Sequence, residues 1–274
     1  MMIKIGAIWD QAVQVMRGRA GMLAGIALLT IVPSSVVGGA FTNLVDPASP
    51  LHLLGGLLRL VDLVLLILGT LAITAIASDP SVGAGRAFRM AGGRLLPALG
   101  VFVMFGLLSA ILFVPGIGAL IASGAAYDSA GNLDLDHAAT GTLALAGVLM
   151  LAAALAMLWL LARLAPLMAV VLHERAGALG AFRRSFALTR GSTMRLIGVL
   201  LLFFIVLTVF TVAVTSVVGV VVRLLPGVTD GMAVMLLALV SGIVSAIGTV
   251  VQSVFVARFY IVARDRAAVE APTR

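Results

Sequence analysis

The chain has 274 residues, 62% of them apolar and only 11% charged, well under the share of about 25% that a water-soluble domain carries. A formal charge of +7 does not point to nucleic acid, because the basic residues are scattered between apolar runs and no soluble segment presents them together. Cysteine is absent, which excludes disulfides, thiolate metal sites and cysteine nucleophiles and leaves the redox compartment open.

The first nineteen residues predict a helix lying in the membrane interface. Ile5, Ile8, Trp9, Ala12, Val13 and Met16 keep the spacing of one apolar face, and Lys4, Gln11, Gln14 and Arg17 occupy the other. A first transmembrane span follows over residues 20–41, since a hydrocarbon core of about 30 Å takes about 20 apolar residues. The polar segment before it exceeds an ordinary signal-peptide n-region, so an uncleaved anchor is expected. Gly21 and Gly25 form a GxxxG pair, expected to serve packing within the chain.

Span two covers residues 57–78 and carries Arg59 and Asp62, one turn apart near its outer end. They can meet as a local ion pair, or mark an ion or proton path. The next segment opens with Asp79-Pro80, an expected N-cap followed by proline at the first helical position. Ala84, Ala87, Phe88 and Ala91 then line one face opposite Arg86 and Arg89. Span three is expected over residues 95–124 and span four over 140–166, with Arg163 as a snorkelling anchor and Pro166 ending or kinking the helix. Between them, Asp128, Asn132, Asp134, Asp136 and His137 tempt a cation-site reading. Their spacing fits no EF-hand, and no metal or cofactor is expected.

A third basic segment precedes span five. There Leu179, Phe182 and Phe186 are expected to share the apolar face, with Arg184 turned away and Arg183 at its edge. Gly18, Gly92, Gly93 and Gly191 follow the three segments, where a left-handed cap would end each helix. Spans five and six cover residues 196–225 and 232–256. Thr208, Thr211 and Thr215 recur along one, and Ser241, Ser245, Thr249 and Ser253 along the other. With Gly219, Gly242 and Gly248 they suit close helix contact, or a polar path.

Basic residues fall almost wholly in alternate loops. The connections at 42–50, 125–137 and 226–231 hold no Lys or Arg, and Arg59 and Arg223 sit near that side only within spans. The positive-inside rule then predicts cytoplasmic N and C termini in a bacterial inner (cytoplasmic) membrane. All but Lys4 of the 18 basic residues are arginine, suited to bidentate pairing with phosphate. The pattern further suggests a threefold repeat of short helix plus hairpin over residues 1–78, 79–172 and 173–262, within one membrane domain of residues 1–274.

Pro166, Glu174 and the run Ala181-Phe182-Arg183-Arg184-Ser185-Phe186-Ala187-Leu188-Thr189-Arg190-Gly191 resemble the signature of a bacterial family. That family is labelled the glycerophosphoryl diester phosphodiesterase membrane domain. The six-span layout is similar to it and to the YciC-like inner-membrane proteins, although Phe182 stands where leucine is common. In that family the diesterase chemistry belongs to a separate soluble barrel of about 250 residues. Only residues 263–274 follow the third repeat unit here, so the resemblance implies no such activity.

Arg183, Arg184, Ser185, Thr189 and Arg190 are the candidate residues for lipid headgroups, since guanidinium forks and hydroxyls bind phosphate at that depth. Generic anchoring, with Glu174 pairing to a neighbouring arginine, accounts for the same residues. His52, His137 and His173 are scattered, and the HExxH, P-loop, GxSxG and dinucleotide motifs are absent. The expectation is an all-α bundle of six transmembrane helices with three cytoplasmic interfacial amphipathic helices. It is non-enzymatic and engages the lipid bilayer, anionic headgroups or a protein partner. The alternative is a small transporter or channel with a midplane cavity lined by the threonine and serine stripes.

Overall fold

A computed structural model describes residues 5–44, 52–127, 133–134, 138–174, 177–225 and 229–270. Helices dominate: α1 (Ile5–Leu44), α2 (His52–Ser78), α3 (Ala84–Gly92), α4 (Leu95–Ala122), α5 (Thr140–Leu164), α6 (Leu167–His173), α7 (Ala178–Leu188), α8 (Thr193–Leu224) and α9 (Asp230–Glu270). A two-residue antiparallel ladder, β1 (Ala126–Tyr127) with β2 (Leu133–Asp134), lies in the connection after α4. Six helical stretches are long and apolar enough to cross a membrane, so the chain is a multi-pass membrane protein.

Local chemistry explains most of the breaks. α1 kinks at Arg19, whose φ of −135° and ψ of 20° leave the helical region, so residues 5–18 and the span after them point differently. The left-handed cap expected at Gly18 does not form: Gly18 has no positive φ, and the helix breaks one residue later without one. Pro166 separates α5 from α6, as its ring and missing N–H require. Gly191 takes a φ of 82°, the left-handed cap expected between α7 and α8. Gly93 stays right-handed at −66° instead, because α3 passes into α4 through a single tight turn. Asp79 does not cap a helix either. Its Oδ1 accepts the N–H of Ser81 at 2.8 Å, closing a turn, and α3 starts five residues later. That bond comes first among the influences holding the Asp79 carboxyl below its ordinary range, followed by the charges of Arg86 and Arg19.

Packing is uneven. α1, α2 and α9 form the most intimate group, with α9 against α1 along much of both helices. Small residues permit this: Ala72, Ala75 and Ala77 of α2 are fully buried, and a Cβ on Gly69 would stand 2.9 Å from the Cβ of Thr30. α4 and α5 pair with each other, where a Cβ on Gly116 would meet the Met150 backbone nitrogen at 3.2 Å. By contrast, nothing lies within 4 Å of a Cβ built at Gly21 or Gly25. The GxxxG pair in α1 therefore makes no close helix contact among the described residues.

α9 runs fourteen residues past the expected end of span six at residue 256. Ala257, Phe259, Tyr260 and Ala263 are buried there, so the first turns of this extension are packed inside the fold at the arginine-rich end.

Candidate functional site

At the arginine-rich end, three arginines are taken up by the fold itself. Arg19 stands at the α1 kink and its Nη1 donates to the carbonyls of Val82 at 3.0 Å, Asp79 at 3.4 Å and Ile76 at 3.5 Å. A cation there bonds the Ile76 carbonyl in the last turn of α2 and two carbonyls of the turn that follows, and meets the negative end of the α2 dipole. Arg163 does not snorkel outward as expected. Its guanidinium lies over the rings of Trp159 and Phe186, at 5.3 and 5.7 Å, and Nη1 donates to the Phe186 carbonyl at 3.2 Å. Two aromatic faces and a carbonyl offer a better site than the apolar lining around it, and the contact ties α5 to α7.

Arg184 is the third. Its Nε donates to both carboxylate oxygens of Glu174, at 2.8 and 3.1 Å, and the Tyr260 hydroxyl donates to Oε1 at 3.1 Å. His173 stacks on Tyr260 at 5.7 Å with rings nearly parallel, and Arg264 lies 5.9 Å from the same ring. One carboxylate thus joins α6, α7 and α9. With side chains 40% and 25% exposed, the ion pair is worth about 1 kcal/mol at most.

The five headgroup candidates accordingly divide. Arg183 and Arg190 are exposed and make no hydrogen bond or ion pair with the described residues. Arg184 is committed to Glu174. Ser185 and Thr189 are completely buried, and Thr189 Oγ1 donates to the Ser185 carbonyl at 2.9 Å, so neither hydroxyl is presented to a phosphate. The reason is the register of α7. Ala181, Phe182, Ser185 and Leu188 form its buried face, whereas Leu179 is 60% exposed. Arg183 is opposite that face and Arg184 at its edge, the reverse of the expectation. In the other basic segments, Ile8 and Ala12, then Ala87 and Ala91, are buried while Arg17, Arg86 and Arg89 are exposed.

Arg59 and Asp62 are not brought together. No ion pair or hydrogen bond joins them: Arg59 is exposed and Asp62 half-buried. Side chains on a helix lean towards its N-terminus, so a snorkelling arginine at position 59 leaves Asp62 behind on its C-terminal side. Of the acidic-loop candidates, Asp128, Asn132, Asp136 and His137 lie outside the described residues, as does the side chain of Asp134. Among the described residues no group of His, Asp or Glu could hold a metal ion.

Sequence reasoning missed a cleft of about 770 Å³ between α4–α5 on one side and α8–α9 on the other. Phe102 and Phe105 of α4, Met157 and Leu161 of α5, and Leu200 and Phe204 of α8 supply much of its wall. These positions belong to the halves of their helices nearer the arginine-rich end. The threonine and serine stripes do not line it. Thr211 and Thr215 return their hydroxyls to carbonyls of α8 at 2.7 Å, and Thr249 bonds the Ser245 carbonyl at 2.9 Å. The one amide in the wall is Gln252 of α9, exposed and without a hydrogen-bond partner among the described residues. In hydrocarbon an amide so placed costs several kcal/mol unless something bonds it. A polar residue inside an apolar run was the available signal.

No protein-family model, curated protein or solved structure shows significant similarity to the chain.

Proposed function

We propose that the chain is a non-enzymatic, multi-pass protein of a bacterial inner membrane, with cytoplasmic termini, that engages anionic lipid headgroups through its arginine-rich end. The observation carrying this reading is the division among its arginines. Arg19, Arg163 and Arg184 serve the fold, while Arg17, Arg89, Arg183 and Arg190 are exposed at the same end and make no hydrogen bond or ion pair with the described residues. An inside-positive rim of this kind attracts the negative surface of the cytoplasmic leaflet at about 1 kcal/mol per charge near the surface. Guanidinium groups without carboxylate partners are also the ones free to take phosphate oxygens in pairs.

The short segments 5–18, α3 and α7 would lie along the interface as three related units, each followed by a transmembrane hairpin. On the residues from Glu174 to Gly191, the chain would be a member of the glycerophosphoryl diester phosphodiesterase membrane domain family, close to the YciC-like proteins. Native mass spectrometry in mixed anionic and zwitterionic lipid tests the headgroup reading. Wild type should retain anionic lipid preferentially, Arg183→Gln with Arg190→Gln should weaken that preference, and Arg184→Gln should disturb stability instead. A wild-type protein indifferent to headgroup charge would defeat the reading.

A further inference from the structure

The cleft between the two hairpins has walls that reject water. A stable internal water needs two to four polar partners, and this surface offers essentially one amide. In a chain with six membrane-crossing stretches, hydrocarbon is the medium at hand to fill it. Its volume of about 770 Å³ falls within the range of about 300–1,000 Å³ typical of sites that enclose a whole ligand. The wall is also adaptable: Met157 and Met168 are unbranched and change shape at little cost, which suits a flexible chain.

Depth identifies the polar end of the occupant. Gln252 precedes Arg258 by six residues, or about 9 Å along α9. The polar layer on each side of a bilayer is about 5–7 Å thick. With the arginine-rich end at phosphate level, as in the proposed function, Gln252 would stand at the hydrocarbon boundary, within reach of the ester linkages. An ester carbonyl is an acceptor without a donor, and the Gln252 amide has N–H groups with no partner among the described residues. Each supplies what the other lacks.

We infer that the α4–α5/α8–α9 cleft seats one acyl chain of a membrane glycerophospholipid, and that the Gln252 amide donates to its ester carbonyl. The site shares the bilayer setting with the headgroup reading but depends on different residues. The occupant is held by shape and one hydrogen bond, so it outlasts the lipids that merely surround the bundle.

The test uses the full chain, reconstituted with equal parts phosphatidylglycerol and phosphatidylcholine and then stripped stepwise with detergent before native mass spectrometry. Wild type is expected to keep one phospholipid per chain after the surrounding lipid has gone. Ala154→Trp, which fills the cleft from α5, should abolish that retained lipid. Ala152→Trp, at an exposed position outside the cleft wall, should leave it in place. Gln252→Leu keeps the shape and removes the donor. It should lower retention about fivefold, the ratio set by one hydrogen bond of ordinary net strength.

Retention by Ala154→Trp equal to wild type would overturn the proposal, as would a wild type that sheds every phospholipid with its annulus or holds only a free fatty acid or detergent. Gln252→Leu indistinguishable from wild type would remove the ester contact. The readings fail separately. Loss of headgroup preference concerns the arginines and leaves the retained chain in place, whereas an ineffective Ala154→Trp removes the seat whatever the headgroup preference.

Discussion

α2 and α8 are both long runs of hydrocarbon side chains, yet half of the most apolar window of α2 is buried and none of that of α8 is. Hydropathy does not separate them in that direction, since α8 is the more apolar of the two. Side-chain size does. From Gly69 to Ala77, α2 places Ala72, Ala75 and Ala77 among its larger residues, and α1 and α9 can approach its backbone. From Leu200 to Phe204, α8 carries only bulky leucine and phenylalanine, and these hold α4 and α5 away. In lipid, a leucine gains little by exchanging an acyl tail for another leucine, so close backbone approach decides which helices associate. The tight α1–α2–α9 group and the splayed α4–α5–α8 side follow from that difference, and the cleft lies where it is greatest.

The largest effect should come from removing volume on the tight side. Leu71→Ala, at a fully buried position of α2, should destabilise by about 2–5 kcal/mol, because the cavity cannot be refilled. Val209→Ala, 63% exposed on α8, should change stability by less than about 0.5 kcal/mol, since lipid or detergent takes the space. Thermal unfolding of both variants in one detergent makes the comparison. Equal losses would mean that the two sides do not differ in packing.

Adding volume should cost somewhat less and should find one tight point on each side. Gly69→Ala presses on Thr30, and Gly116→Ala presses on the Met150 backbone nitrogen 3.2 Å away, so each should cost about 1–3 kcal/mol. Gly106→Ala, where nothing lies within 4 Å, should be neutral or slightly stabilising, measured by the same unfolding assay. A neutral Gly116→Ala would show that the α4–α5 pair yields as freely as the cleft beside it.

The existence and approximate limits of the spans were legible in the sequence because lipid imposes one strong demand, a run of apolar residues long enough to cross. The break at Pro166 and the left-handed Gly191 were legible for similar local reasons. The register of α7 was not. Leu179, Phe182 and Phe186 form a plausible apolar face, but the buried face centres on Ala181 and Ser185, because small residues let α7 sit down on its neighbours. The Glu174–Tyr260 contact joins residues 86 apart, and no local pattern announces it. The continuation of α9 beyond residue 256 was missed for a related reason. Arg258, Arg264 and Arg266 interrupt the apolar run after residue 256, whereas Phe259, Tyr260 and Ala263 between them pack inside.

Smaller effects separate the two pairs of opposite charge. Arg184 and Glu174 meet across α7 and α6 at 2.8 Å, so a double-mutant cycle with Arg184→Gln and Glu174→Gln should give a coupling of about 1 kcal/mol. Tyr260→Phe removes the hydroxyl from the same carboxylate and should cost about 1 kcal/mol in the same assay. Arg59 and Asp62 are closer in sequence but make no contact, and their cycle with Arg59→Gln and Asp62→Asn should return a coupling indistinguishable from zero. Helical spacing of three residues permits an encounter without compelling one. The outer end of α2 gives Arg59 a free route to the surface, and an exposed pair would lose side-chain entropy to form. A measurable coupling there would mean that the arginine turns back along α2 in the bilayer, and a charged pair would then stand inside the tightest group of helices.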